Sequence, residues 1–326
     1  TGLGTAAGGT TVASGATLAF GGPGIGQGCR QEPLTLAGSP TADAIRVTAG
    51  VLFLEDLTLT GDATIRCENS LYLGTASGGT IDMGGHTLTL SGPSAGDFDG
   101  HFGFADVRNP GCLTAKGFRF FCPSAAFSGG AGHVLSLSDR THVRFSGLDN
   151  GSNWTLRMDG TGGIYAQGAK NVWEGPVELG SSDRTFHVMD NGDLWLKGPI
   201  SGSANMWLSA PAGSDTPRLS LFGTNAFTGT LTLAAGSVYL ATPMAVPSLT
   251  ATPPQFAATA NGDSLIVEPR ADAGPDGWTA DEIWSYVDTF RTFGRARPHF
   301  KVNVPAGEVC TLSHDFNGED YSVQRI

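Results

Sequence analysis

Two or three apolar residues at alternate positions, a glycine, then another alternating pair: this unit recurs from residue 10 to about residue 267. "TVASGATLAF" places Val12, Leu18 and Phe20 on one parity around Gly15. "VTAGVLFL" repeats the pattern around Gly50, "VMDNGDLWL" around Gly192 and "LAAGSVYL" around Gly236. Period-two alternation gives a strand one buried face, and glycine supplies the backbone angles of a corner. Units this short cannot bury an apolar face alone, so they must stack on one another. The alternation predicts an inward set that includes Val12, Leu18, Phe20, Leu34, Leu36, Ile45, Val47, Leu57, Leu59, Ile65, Leu88, Leu90, Leu135 and Leu137. It continues through Val177, Leu179, Phe186, Val188, Leu231, Leu233, Val238 and Leu240.

A longer self-match supports stacking. "NVWEGPVELG" from Asn171 aligns with "NAFTGTLTLA" from Asn225, an offset of 54 residues that fits two coils of a β-solenoid. The expected fold is all-β, a parallel β-helix over residues 1–267. Two regions break the pattern. Residues 93–132 are aromatic and irregular and read as an inserted loop projecting from the coils. Residues 268–326 read as a small C-terminal cap or docking module with one helix. There, Thr279 and Glu282 have capping-box spacing, and Ile283, Val287 and Phe290 share a helical face.

The segments "GTNAFTGTLTLAAGSVYLAT" (223–242), "NVWEGPVELGSSDRTFHVMDNGDLWLKGPISG" (171–202) and "GGTTVASGATLAFGG" (8–22) carry a family likeness. They resemble the autotransporter-associated β-strand repeats of long bacterial surface proteins. The resemblance implies a right-handed parallel β-helix, similar to the pectin-lyase-like architecture, in an exported surface protein. The sequence departs from the family in containing no β-barrel translocator segment, and its tail has no counterpart there.

Charge narrows the partners. With 19 basic against 30 acidic residues the formal net charge is -11, which disfavours nucleic acid and anionic lipid heads. No run of 18 apolar residues reads as a membrane span, and no signal peptide is visible. The first residues, "TGLGT", lack a Met and read as those of a processed or excised product. The five cysteines, Cys29, Cys67, Cys112, Cys122 and Cys310, lack CxxC spacing. Cys112 and Cys122 bracket a short segment that a disulfide can close, the alternative being two buried thiols.

Asp82 and His86 in "TIDMGGHTLTL" read as the outer corner of a coil, because Ile81, Met83, Leu88 and Leu90 take the inward parity. "GDFDGHFGFAD" offers Asp97, Asp99, His101 and Asp106. The three aspartates are the candidates for calcium, although Gly100 falls too early for the calcium loop and its final glutamate is missing. No other cofactor is expected. Trp154, Trp173, Trp195 and Trp207 are candidate outward platforms for sugar rings, the alternative being packing in the core or at turns. Exposed carboxylates Glu174, Glu178, Asp183, Asp190 and Asp193 leave a polysaccharide lyase or hydrolase as a rival, but no compact acid–base cluster accompanies them. The expectation is a non-catalytic extracellular structural or adhesive solenoid, self-associating end to end or binding a surface glycan or protein.

Overall fold

A computed structural model describes residues 8–21, 32–39, 41–74, 79–92, 99–117, 119–123, 127, 130–148, 153–168, 170–188, 192–209, 218–247, 256–258, 264–267, 277–285, 299–302, 304 and 324–325. The chain forms two compact units, residues 1–164 with 174–176, and residues 165–173 with 177–326. Each is built of parallel sheets stacked as a β-solenoid. Among the described residues no helix is long and apolar enough to cross a membrane.

In the first unit the chain visits three sheets in turn. One holds Thr10–Val12, Leu34–Leu36, Leu57–Leu59, Thr80–Asp82 and Asp106–Arg108. The second holds Leu18–Phe20, Ile45–Val47, Ala63–Cys67, Thr87–Ser91, Cys112–Lys116, Val134–Ser138 and Thr155–Met158. The third holds Val51–Leu54, Ser70–Leu73, Asp99–Phe102, Arg119–Pro123 and His142–Ser146. Register turns the alternation of the sequence into columns. Ile45, Ile65, Leu90, Ala115, Leu137 and Met158 lie successively side by side, and all are buried. The residues that follow them face outward as Arg46, Arg66, Ser91, Lys116 and Ser138. Each large side chain fully buried in such a column contributes roughly 1.5–3 kcal/mol.

The inward set named from parity is buried, except that Leu18 and Phe20 are only half-buried. Among the described residues their strand is the outermost of its sheet and pairs on one side only, with Ile45–Val47. Where coils come closest, glycine is required. Gly38 has φ +64°, and a Cβ there would run into the Asp62 carbonyl oxygen; one at Gly162 would run into that of Thr141.

Residues 93–132 are not a projecting insertion over their described part. Asp99–Phe102 pairs with Ser70–Leu73 and with Arg119–Pro123, and Cys112–Lys116 pairs with Thr87–Ser91 and Val134–Ser138. Phe102, Phe104, Leu113, Ala115 and Cys122 fill the interior. The coils here carry aromatic, alanine and cysteine side chains in place of leucine, which hid the alternation. Nor is there a Cys112–Cys122 disulfide: both are free thiols. They occupy strands of different sheets, and the buried Cys122 lies beside Phe145. Burial raises its thiol pKa well above the usual value and lifts that of Cys67 to about 11. Cys29 and Cys310 lie outside the described residues.

The second unit has a seven-stranded sheet of Asn171–Trp173, Asp193–Leu196, Arg218–Leu221, Ser237–Leu240, Ser264–Val267, His299–Val302 and Gln324–Arg325. Beside it run Arg184–Val188, Met206–Ser209, Leu231–Leu233 and Phe256–Ala258 in another sheet, and Val177–Leu179, Ile200–Gly202 and Ala226–Phe227 in a third. The described strands beyond residue 267 therefore extend this sheet, because His299–Val302 pairs with Ser264–Val267 and Gln324–Arg325 with His299–Val302. The helix occupies residues 280–285 and opens on the expected box. The Glu282 amide donates to Thr279 Oγ1 (3.2 Å), and the Thr279 amide donates to Glu282 Oε2 (2.9 Å). Ile283 is buried; Val287 and Phe290 lie outside the described residues.

Register also corrects the self-match. Val177 lies beside Ile200, and Ser201 beside Ala226, so two coils carry Val177 to the position of Asn225. The self-match pairs Val177 with Leu231 of a different sheet instead, and it sets Asn171–Trp173 of the seven-stranded sheet against residues 225–227, whose strand Ala226–Phe227 belongs to another. The repeated phrase spans two strands of different sheets, and the match shifts each of them onto a strand of another sheet.

Candidate functional site

The acidic corners of the first unit are occupied by backbone. Asp56 Oδ1 accepts from the amide of Thr80 (3.0 Å) and Asp62 Oδ1 from that of Thr87 (2.8 Å), each on the following coil. Asp82 Oδ1 accepts from the Gly84 amide (2.9 Å) and from Asn109 Nδ2 (2.8 Å), closing its own glycine turn. His86 Nδ1 lies 3.8 Å from Asp62 Oδ1, so the imidazole faces a carboxylate of the preceding coil and not Asp82. Amides do the same work in the second unit. Asn225 Oδ1 accepts from the Ile200 amide (2.8 Å) while its Nδ2 donates to the Ala245 carbonyl (2.7 Å), and Asn205 Oδ1 accepts from the Thr230 amide (2.8 Å). These side chains staple one coil to the next.

The other candidates scatter. Asp106 Oδ2 receives both Nε and Nη2 of Arg108 at 2.6 Å, Asp97 lies outside the described residues, and Asp99 is described only as part of its strand. Among the described residues no three His, Cys, Asp or Glu side chains converge as a metal site would require. Of the carboxylates weighed for hydrolysis, Asp183 accepts from Asn205 Nδ2 (3.0 Å), and Asp193 receives Arg218 Nη2 (2.6 Å) and Ser220 Oγ (3.1 Å). Glu174 is exposed, Glu178 half-buried, and Asp190 outside the described residues.

Trp154 and Trp173 are fully buried, which removes them as sugar platforms. Trp154 shares the parity of the inward Leu156; it stacks on His133 at 4.6 Å and meets Phe127 edge-on. Trp195 is half-buried, with Lys170 Nζ 4.0 Å from its ring centre and Phe222 at 5.0 Å. Trp207, opposite in parity to Met206 and Leu208, is exposed at 40%.

The outward face of the third sheet in the first unit carries a feature that parity alone did not reveal. Phe53, Tyr72, His101, Phe121 and Arg144 lie side by side on successive strands. Phe53 stacks on Tyr72 at 4.8 Å and Tyr72 on His101 at 4.2 Å. Phe121 turns edge-on to His101 at 5.0 Å, and the Arg144 guanidinium lies 5.8 Å from the Phe121 ring centre. In the neighbouring column Arg119 lies beside His142. The His142 pKa is lowered, first by burial and then by the Arg119 charge. Arg119, Arg140 and Arg144 are exposed, and His101 and His142 are half-buried. A sequence signal for this column exists in hindsight: an aromatic residue between two inward ones, as in "LFL" and "LYL".

Comparison with known proteins found no matching family, no matching curated protein and no matching solved structure. What stands is the parallel β-solenoid itself.

Proposed function

We propose that this chain is a non-catalytic structural or adhesive solenoid of the bacterial cell exterior that associates end to end. The observation that carries the reading is the first coil. Leu18 and Phe20 occupy inward positions yet remain half-buried, whereas Ile45 and Val47 on the neighbouring strand are fully buried. A strand edge with no partner among the described residues, beside a half-buried apolar interior, is a template for another parallel strand. A head-to-tail contact of that kind does not close on itself and builds filaments. The staple roles of Asp56, Asp62 and Asp82 favour a scaffold over a hydrolase, because carboxylates bonded to fixed donors are poorly placed as general acids. The repeat likeness supports an exported setting.

Sedimentation velocity over a wide concentration range, with negative-stain microscopy, tests the assembly. The expected result is concentration-dependent growth into rods that Phe20→Glu abolishes while circular dichroism stays unchanged. Monomers alone at high concentration would sink the idea.

A further inference from the structure

We infer that the outward face of the third sheet in the first unit is a binding strip for an anionic polysaccharide. Three observations converge there. The first is ring orientation. Phe53, Tyr72 and His101 stack at 4.8 and 4.2 Å with interplanar angles of 23° and 11°. That spacing matches the roughly 4.8 Å between neighbouring strands, so the rings stack along the strand-to-strand direction. Their faces cover one another and their edges point away from the sheet. Aromatic edges are the positive part of the ring quadrupole. The column therefore offers a neutral sugar few free faces, and a carboxylate or sulfate a favourable surface.

The second observation is charge. Arg119, Arg140 and Arg144 stand exposed on two adjacent strands and the turn before one of them, with His101 and His142 between them. The acidic residues among these positions are Asp99, in register with Arg119, and Asp139, which precedes Arg140 in the chain, so three arginines stand against two aspartates. This occurs on a chain whose formal net charge is -11, so the strip is a local reversal of the molecule's sign. Arginine binds carboxylate and sulfate oxygens through paired N–H groups. The third observation is shape. The column crosses five in-register strands, which suits an extended chain with charges at regular intervals. A single-stranded nucleic acid fits less well, because its bases stack on free aromatic faces and the rings of this column cover one another.

Dextran sulfate, alginate and neutral dextran of equal length are the probes, titrated into the full chain at about 0.15 M salt. The expected result is that both anionic polymers bind and neutral dextran does not. Arg119→Ala/Arg144→Ala should then weaken binding about tenfold or more, each change removing a charge-assisted contact. Arg46→Ala/Arg66→Ala removes the same charge from the second sheet, where both arginines lie 3.8 Å from Glu68. It should change binding less than twofold. Should the first pair perturb folding, Arg144→Gln alone gives the same direction. Equal losses from the two pairs, no binding of either polyanion, or tighter binding of a single-stranded oligonucleotide would each overturn the inference. None of these outcomes depends on whether the chain assembles end to end.

Discussion

His133 is 1% exposed, stacked on Trp154, and its Nδ1 has no hydrogen-bond partner among the described residues. Burial lowers its pKa from the ordinary 6.5, and His142 shifts in the same direction. The unfolded chain thus takes up these protons more readily than the folded one. Stability from the neutral imidazoles is complete above 6.5 and is lost as pH falls below that value toward the folded pKa. Thermal melts at pH 7 and pH 5 should show a lower Tm at pH 5. His133→Phe, which keeps a ring against Trp154, should reduce the difference; an unchanged difference would contradict the account. The cysteines give a second residue-level expectation. Native alkylation followed by peptide mapping should leave Cys67 and Cys122 unmodified until the protein unfolds, and should find no Cys112–Cys122 linkage.

At the scale of strands and corners, stability should reside in the staples as much as in the core. Asn225→Ala leaves the buried Ile200 amide and Ala245 carbonyl without their side-chain partner, and denaturant unfolding should report a loss of about 1–3 kcal/mol. Asp62→Asn keeps an acceptor for the Thr87 amide and should cost much less than Asp62→Ala. This scale also explains what could be read in advance. Inward parity was legible because leucine and isoleucine dominate it, and the capping box at Thr279 was legible because its partners are three residues apart. The coils at 99–123 were not, because phenylalanine, alanine and cysteine took the inward places. The column from Phe53 to Arg144 was hidden for another reason. Its members meet only through register, at separations that follow no single period.

For the molecule as a whole, each coil is held chiefly by its immediate neighbours, so protection should grade inward from a free edge. Hydrogen exchange should be faster at Thr10–Val12 and Leu18–Phe20 than at Ala63–Cys67, which is paired on both sides. Uniform rates would argue that the first coil is already covered. One property of the register reaches further. Ile45 and Ile65 are neighbours after 20 residues, whereas Ile65 and Leu90 are neighbours after 25. The sheets hold alignment while the length of each circuit is absorbed at the bends, so bends can lengthen or shorten over generations without disturbing what lies above or below. Such a chain can trade its outer loops freely and still wind true.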